Sequence, residues 1–250
     1  MSTWGGSSAM PVIDAEILEI DSASNVLWTW RTRDHIALRE TGEQSWFPGI
    51  GDDIIHMNAL QPDGSDAVIF SGRHLNAIYR ITKSTGAIDW KIGGSTIPES
   101  FTVTGDTRPT ALGPTGLVLN GQHDVRKWSD DTVSVHDNGT MANRSPFVVR
   151  YQIDTASKTA AVVEEFSDSR VTTSSCCGSA RLLPNGHWVV NWGDSPFFTE
   201  LVADGTTGIP VLTVQYSTNG IFSYRSIPVT PGVIGADTLR SGMDAMAPTP

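Results

Sequence analysis

Short apolar runs separated by Gly, Pro, Asn, Asp and Ser recur along the whole of this 250-residue chain. Runs of this length, bounded by turn-forming residues, are typical of β-strands. The sustained 3.6-residue periodicity of amphipathic helices is hard to find. The pattern therefore predicts an all-β protein in which helix is a minority element.

One segment shows four such strands joined in sequence by polar turns. Its apolar runs and turns are, in order, Asp53-Ile-Ile-His-Met-Asn-Ala-Leu, Gln61-Pro-Asp-Gly-Ser-Asp, Ala67-Val-Ile-Phe-Ser, Asn76-Ala-Ile-Tyr-Arg-Ile, Lys83-Ser-Thr-Gly and Ala87-Ile-Asp-Trp-Lys-Ile. Pro, Asp, Asn and Gly are the residues that tight turns require. Four strands in a meander are the composition of one β-propeller blade.

The unit repeats along the chain. The turn at Pro62 returns at Pro184, 122 residues later, an offset that suits two intervening units. The outer pair of strands recurs four times, at 17–28, 78–90, 150–163 and 199–212. Because blades bury their faces only against neighbouring blades, the repeats predict a β-propeller of four-stranded antiparallel blades.

We expect this propeller to occupy residues 13–240. A flexible N-terminal segment, residues 1–12, would precede it, and a disordered tail, residues 241–250, would follow it. The first recognisable element is already the closing hairpin of a blade, so we expect earlier blades to be absent from this chain.

The charge balance limits the choice of partners. Seventeen Lys and Arg stand against 27 Asp and Glu, a formal net charge of −10, and no basic stripe is present. Nucleic acid and anionic membrane surfaces are therefore excluded as favoured partners. A site for an anionic small molecule would need its positive side chains gathered into a local cluster.

Further sequence features bear on location and redox state. No apolar run approaches the length of a transmembrane helix, and the N-terminus lacks the basic and apolar regions of a secretory signal. The two cysteines, Cys176 and Cys177, are adjacent and form either a strained vicinal disulfide or two thiols. The sequence gives no indication of oligomeric state.

Candidate chemistry concentrates on the first strand of each blade, which in a propeller lines the central channel. In residues 53–60 a period of two places His56 and Asn58 on one face. Arg73 follows the second strand and can return to the same end of the channel. His123 occupies the equivalent place in a second blade, and His35 follows a tryptophan-rich strand.

The other histidines are more simply explained as structural residues: His74, His136 and His187. Aligning the repeated turns places Gly178 opposite His56, which predicts that Arg181 lies on the face away from the channel. A zinc site is open in principle, but no two histidines have close ligand spacing, so we expect no metal.

Hydrolase and phosphate-binding motifs are absent, and a paired-carboxylate glycosidase has no motif to support it.

An ordered series of motifs is similar to the bacterial arylsulfotransferase family, whose members transfer sulfate between phenols without a nucleotide sulfate donor. The match runs from about residue 13 to residue 225, and the ordered series is far more specific than any one motif. The motifs of this series are, in order, Asp-Ile-Ile-His-Met-Asn, Ser-Gly-Arg-His-Leu-Asn-Ala-Ile, Thr-Gly-Ala-Ile-Asp-Trp-Lys-Ile-Gly-Gly, Gly-Gln-His-Asp-Val-Arg, His-Asp-Asn-Gly and Ser-Ala-Arg-Leu-Leu-Pro-Asn-Gly-His.

The resemblance implies a six-bladed propeller, an active site in the channel, an extracytoplasmic location and no cofactor. The substrates would be an aryl sulfate and a phenol. By motif, His123 would accept the sulfuryl group as a sulfohistidine. His56 and Asn58 would hold the donor and assist the leaving phenol, Arg73 would bind sulfuryl oxygens, and His35 would contact substrate.

Two other classes of protein stay open. A propeller can bind a ligand or protein partner without catalysis, because the fold does not determine function. The Ser/Thr-Gly-x-x-x-Trp element also resembles repeats of quinoprotein propellers, which would need a metal and a coloured cofactor.

Overall fold

The computed structural model describes residues 11–42, 45–47, 51–108, 118–217, 220–229 and 232–246, which form mainly β-strands. In chain order the strands and the one α-helix of these residues are β1 Val12–Ile13, β2 Glu16–Ile20, β3 Val26–Arg31, β4 Ser45–Phe47, β5 Gly51–Asp53, β6 Met57–Pro62, β7 Ala67–Gly72, β8 Ala77–Thr82, β9 Ile88–Gly93, β10 Thr102–Thr104, β11 His123–Lys127, β12 Thr132–Asp137, β13 Phe147–Asp154, β14 Thr159–Phe166, β15 Ser179–Leu182, β16 Trp188–Asn191, β17 Phe197–Asp204, β18 Thr207–Gln215 and α1 Ala236–Met246.

Three antiparallel meanders dominate the structure. Strands β6–β9, β11–β14 and β15–β18 each form a sheet in which neighbours in sequence are neighbours in space. Strand β10 adds to the second sheet by pairing in parallel with β14, and β2 and β3 form a separate hairpin. This arrangement confirms the predicted propeller-like all-β fold, and all four predicted outer hairpins are present. The number of blades implied by the resemblance stays a prediction.

The spacing of the repeated turn has a simpler explanation than two intervening units. The turns at Pro62 and Pro184 follow the first strands of the first and third sheets, so one sheet lies between them. Part of the offset lies between β10 and β11, where the described residues 105–108 and 118–122 belong to no strand.

The hydrophobic core lies mainly between sheets. Ile69 and Ile78 of the first sheet share one buried cluster with Val133 and Val135 of the second. Val148 of the second sheet shares another with Trp188 of the third. Central strands β7 and β12 are buried at every position. Burial on both faces explains the mainly apolar sequence of β7, whereas β12 alternates valine with polar residues. Each blade therefore depends on its neighbours for burial.

Gln122 fastens the first blade to the second. Its fully buried amide nitrogen donates to Ser71 Oγ at 3.0 Å and to the carbonyl oxygens of Gly72 and Ala77 at 3.1 and 3.0 Å. Its backbone oxygen accepts a 2.7 Å hydrogen bond from Asn58 Nδ2. The start of β11 is consequently fixed against β6 and the end of β7.

Two described elements lie at the predicted domain ends, and the domain bounds stay a prediction. Val12, in the predicted N-terminal segment, lies in β1 and pairs with Asp52 of β5. Helix α1 runs from Ala236 to Met246, across the predicted boundary at residue 241, and none of its side chains is buried. In the described part of the chain, no helix has the length and apolar composition of a membrane span.

A buried ion pair anchors the first blade to the 3-10 turn Leu38–Glu40. The ammonium of Lys91 is fully buried and lies 2.8 Å from Glu40 Oε2. The same carboxylate accepts a 3.2 Å hydrogen bond from the hydroxyl of Tyr79. Such pairs are sensitive to the loss of one partner, because the remaining charge is left buried.

We expect Lys91→Met to lower the free energy of unfolding by about 3 kcal/mol, since Glu40 would lose its cation in a desolvated site. Urea denaturation would measure this loss. Lys83→Met is the control, because it removes the more exposed pair with Glu19 and should cost less than about 1 kcal/mol. Equal effects of the two substitutions would contradict the importance of the buried pair.

Candidate active site

His123 begins β11 and is 1% exposed. Its Nδ1 lies 2.9 Å from the carbonyl oxygen of Gly121 and 2.8 Å from Asn138 Oδ1. Both partners accept hydrogen bonds, so Nδ1 carries the proton and Nε2 carries the lone pair. Nε2 accepts a 3.2 Å hydrogen bond from the backbone N–H of Cys177. The imidazole is thus fixed in one tautomer.

Burial keeps this imidazole neutral. It lowers the pKa of His123 to about 3, and the positive charge of Arg73 acts in the same direction, although the hydrogen bond to Asn138 opposes it. A neutral imidazole with an accessible lone pair is the nucleophilic form. The electrostatic requirement for a histidine nucleophile is therefore met at neutral pH.

Arg73 lies beside His123 at the end of β7. An added Cβ at Gly121 would lie 3.9 Å from Arg73 Nε, while the carbonyl oxygen of Gly121 contacts the His123 ring. The guanidinium donates to the carbonyl oxygen of Ser175 at 3.2 Å. Arg73 therefore contributes a permanent positive charge to the His123 environment, as its predicted return to the channel requires.

The Cys176–Gly178 segment covers His123 from the side of the third blade. Cys177 has a left-handed backbone, with φ of 67°, and Gly178 has φ of 103°. An added Cβ at Gly178 would lie 2.4 Å from Nδ1 of His136, so only glycine fits there. Both cysteines are free thiols, and burial raises the pKa of Cys177 to about 12.

His56 precedes β6 rather than lying within it. Its φ of 49° interrupts the alternation predicted for residues 53–60, so His56 and Asn58 do not share a simple strand face. Its backbone oxygen accepts a 3.0 Å hydrogen bond from the N–H of Arg73. Its ring packs against His74, with 4.6 Å between centroids. His56 is thereby attached to the Arg73 side of the site.

Asp53 orients both histidines. Its Oδ2 lies 2.6 Å from His56 Nδ1, and its carbonyl oxygen lies 2.6 Å from His74 Nδ1. Burial raises the pKa of Asp53, but the hydrogen bond and charge of His56 outweigh it and hold this pKa below its ordinary value. One ligand atom from each residue lies within 4.8 Å of the others, so this group could hold a metal ion. The sequence analysis considered only the spacing between histidines and therefore did not identify this group.

Asn58 connects the first blade to the residue that precedes His123. Its Nδ2 donates to the carbonyl oxygen of Gln122, next to His123, and its carbonyl oxygen accepts a hydrogen bond from Arg225 Nη2. The Oδ1 atom of Asn58 is buried and has no hydrogen-bond partner among the described residues. An unpaired acceptor next to the nucleophile candidate is available to a donor group.

Tyr224 borders His123 on the remaining side, with its ring edge-on at 6.0 Å. Its segment is held to the third blade, because the N–H of Gly178 donates to the carbonyl oxygen of Tyr224 at 3.0 Å. The side chain is 48% exposed, so an aromatic surface lies next to His123 and faces solvent. The sequence analysis did not single out this tyrosine.

The structure does not bring His35 to this group. Its ring stacks on Trp30 at 4.6 Å, and the indole of Trp30 donates to the carbonyl oxygen of Gly86 in the β8–β9 turn. That turn lies at the opposite end of the blade from Arg73, which connects β7 to β8. His56, Asn58, Arg73 and His123 lie at one end of the blades, and His35 lies at the other.

A large surface cavity lies elsewhere. It has a volume of about 660 Å³ between the second and third blades and includes Asp130, Arg150 and Glu164 in its lining. Arg150 forms ion pairs with both acids, at 3.6 Å to Glu164. Its charged groups are thus already paired, which makes the His123 region the better candidate site.

Asn138 and the Cys177 amide could not be identified from the sequence. Both act through precise contacts with His123 across strand and blade boundaries, and neither belongs to a local spacing pattern. Asn138 did lie within the quoted His-Asp-Asn-Gly motif, two residues after His136. That motif was the one available signal.

Two solved structures resemble the chain at low sequence identity. The propeller of Dos1 is 14% identical, with a TM-score of 0.40 over 81% of this chain and 43% of that one. Selenomethionine-substituted virginiamycin B lyase from Staphylococcus aureus is 11% identical, with a TM-score of 0.38 over 83% of this chain and 60% of the lyase. The chain spans less than two thirds of either structure.

No curated protein matches the sequence. The profile of the family Arylsulfotransferase (ASST) matches residues 6–225. This range includes all three antiparallel meanders and the residues gathered around His123. Because the match covers most of its length, this chain belongs to the arylsulfotransferase family.

Proposed function

We propose that the protein moves a sulfuryl group from an aryl sulfate to a phenol through a covalent intermediate on Nε2 of His123. The observation that carries the proposal is the fixed neutral imidazole: Nδ1 faces two oxygen acceptors, so the lone pair is on Nε2, and the charge of Arg73 acts on the ring. Family membership supports the choice of aryl sulfates.

In the first half of the reaction, Nε2 of His123 forms a bond to sulfur and the bond from sulfur to the aryl oxygen breaks. Charge on the sulfuryl oxygens would be stabilised by the guanidinium of Arg73. The carbonyl oxygen of Gly121 and Oδ1 of Asn138 accept the hydrogen bonds of Nδ1–H, which stabilises the ring as it becomes positive.

In its doubly protonated form, His56 would give the proton on Nε2 to the departing phenolate and become neutral. Its Nδ1 is held by Asp53 at 2.6 Å, which leaves Nε2 as the exchanging nitrogen. In the second half, the acceptor phenol returns a proton to His56, its oxygen attacks sulfur, and the bond from Nε2 of His123 to sulfur breaks. Both substrates are thereby converted without a net change in the protein.

The Cys177 amide must move for the first step. It occupies the lone pair of Nε2 at 3.2 Å, where the sulfur atom would arrive. This covered state also fits a second candidate function, a propeller that binds aryl anions without transferring the sulfuryl group. Detection of a covalent intermediate separates the two.

We expect brief exposure to 4-nitrophenyl sulfate to add roughly 80 daltons, the mass of one sulfuryl group, to the peptide containing His123. His123→Ala should lose both this adduct and turnover while its thermal unfolding stays cooperative. His187→Ala is the matched control, because His187 pairs with Glu200 on the outer strands and lies apart from the site. Full turnover by His123→Ala would refute the assignment.

Arg73→Gln should slow adduct formation by about 10²- to 10³-fold, since a preorganised cation at the sulfuryl oxygens is lost. Arg73→Lys should recover part of the rate, because a charge returns without the planar fork. Single-turnover release of nitrophenol measures each rate. The control Arg80→Gln removes a guanidinium that pairs with Asp63 and Asp89 at the other end of the blade. Similar losses in both Gln variants would indicate a nonspecific effect.

The rate of adduct formation should be nearly independent of pH from about 8 to 5. A pKa lowered to about 3 means that His123 takes up its proton only well below this interval, so the nucleophile stays neutral throughout. 4-Nitrophenyl sulfate suits the measurement, because its good leaving group needs little proton donation. A loss of rate centred near pH 6.5 would assign the titration to an ordinary exposed histidine instead.

A further inference from the structure

Three arginines converge on one buried carboxylate next to His123. Asp124, which is completely buried, accepts hydrogen bonds from Arg126 at 2.9 Å and from Arg181. Nε of Arg225 lies 3.8 Å from the same carboxylate. These arginines come from β11, β15 and the segment after β18, so the fold gathers them from distant parts of the sequence.

The three arginines carry more positive charge than the carboxylate of Asp124 neutralises. Its Oδ1 is bonded by Arg126, and its Oδ2 by Arg181 and by the backbone N–H of Ala180 at 3.0 Å. Among the described residues, it is the one carboxylate within 4.0 Å of these guanidiniums. Three positive charges against one negative charge leave a local excess of two, in a chain whose formal charge is −10.

Repulsion among these arginines is evident. Burial lowers the pKa of Arg181, and the charges of Arg126 and Arg225 lower it further, against the opposing effect of Asp124. Nε of Arg225 is buried without a hydrogen-bond partner in the described part of the chain. An unpaired charged donor of this kind is costly unless a ligand completes its shell.

The position of the cluster relates it to the reaction. Asp124 directly follows His123, and Arg225 directly follows Tyr224, whose ring borders the His123 imidazole. The side chains of Arg126, Arg181 and Arg225 are 22%, 13% and 27% exposed. These side chains are buried enough to attract an anion strongly, and exposed enough for a ligand to reach them. Arg181 contacts Asp124 of the neighbouring inner strand, and its predicted place on the face away from the channel stays a prediction.

We propose that Arg126, Arg181 and Arg225 form an anion-binding site for a second negatively charged group, a carboxylate or sulfonate, carried by the aryl ring of a substrate. The inference rests on the proposed function and specifies its substrate class. Planar guanidinium forks match the paired oxygens of such groups, and partial burial strengthens the attraction. The anionic ring substituent would be held while His123 reacts with the sulfate ester.

The test compares 4-nitrophenyl sulfate with 4-carboxyphenyl sulfate as donors, and phenol with 4-hydroxybenzoate as acceptors. Wild-type protein should favour the carboxylated member of one pair in kcat/KM. Arg126→Gln should reduce that preference about tenfold, as expected for one charge-assisted hydrogen bond. The pair that responds identifies whether donor or acceptor carries the anion. Arg225→Gln, in the segment outside the blades, should have the same effect if Arg126→Gln does not fold.

Calorimetric titration with 4-hydroxybenzoate gives a readout independent of turnover. Binding should weaken in Arg126→Gln and stay unchanged in Arg80→Gln, whose guanidinium is paired outside the site. If His123 acquires the sulfuryl group but neither pair shows a preference and 4-hydroxybenzoate does not bind, the anion site is refuted alone. If no donor labels His123, the proposed function fails, while the titration still decides whether the arginines bind a carboxylate.

Discussion

The hydrogen bonds made by Gln122 between the first two blades are the constraint on which the site depends. The nitrogen of a buried amide needs acceptors inside the protein, and that of Gln122 finds them on Ser71, Gly72 and Ala77 of the neighbouring blade. His123 is the next residue. The contacts that hold the amide nitrogen therefore set where the imidazole lies relative to Arg73, which follows Gly72 directly. The contacts of Gln122 thus both hold the first two blades together and place the candidate nucleophile.

The charge around His123 is positive, opposite in sign to the net charge of the protein. The chain is acidic, yet the fold brings Arg73, Arg126, Arg181 and Arg225 to the surroundings of one neutral imidazole. Burial keeps His123 uncharged, so it adds no repulsion to the cations nearby. An anionic aryl sulfate would be attracted by the arginines and attacked by the neutral nitrogen of His123. The positive charge and the nucleophile are therefore carried by different residues.

The sequence predicted the blades well because their pattern is local: apolar runs, turns at Pro62 and Pro184, and repeated outer hairpins are all readable along the chain. His123 and Arg73 were singled out because each begins or follows a strand at a repeated blade position. The structure brings the two residues close together, and their catalytic roles stay predictions. The predictions failed where backbone conformation departs from a regular strand. The left-handed residue His56 broke the assumed alternation, because the two-residue period of a strand does not continue through a positive φ. The Asp53 contacts depend on both its side chain and its carbonyl oxygen, which no spacing rule encodes.

The left-handed backbone at His56, Asp124 and Cys177 has a thermodynamic consequence. Each conformation is unfavourable for a residue with a Cβ, by an amount of order 1 kcal/mol, and glycine would adopt it freely. These residues instead carry an imidazole, a carboxylate and a thiol into the region around the channel. The folded chain thus keeps side chains where conformational preference alone would favour none, and three of the eight described non-glycine residues with positive φ belong to the candidate site or its immediate neighbours.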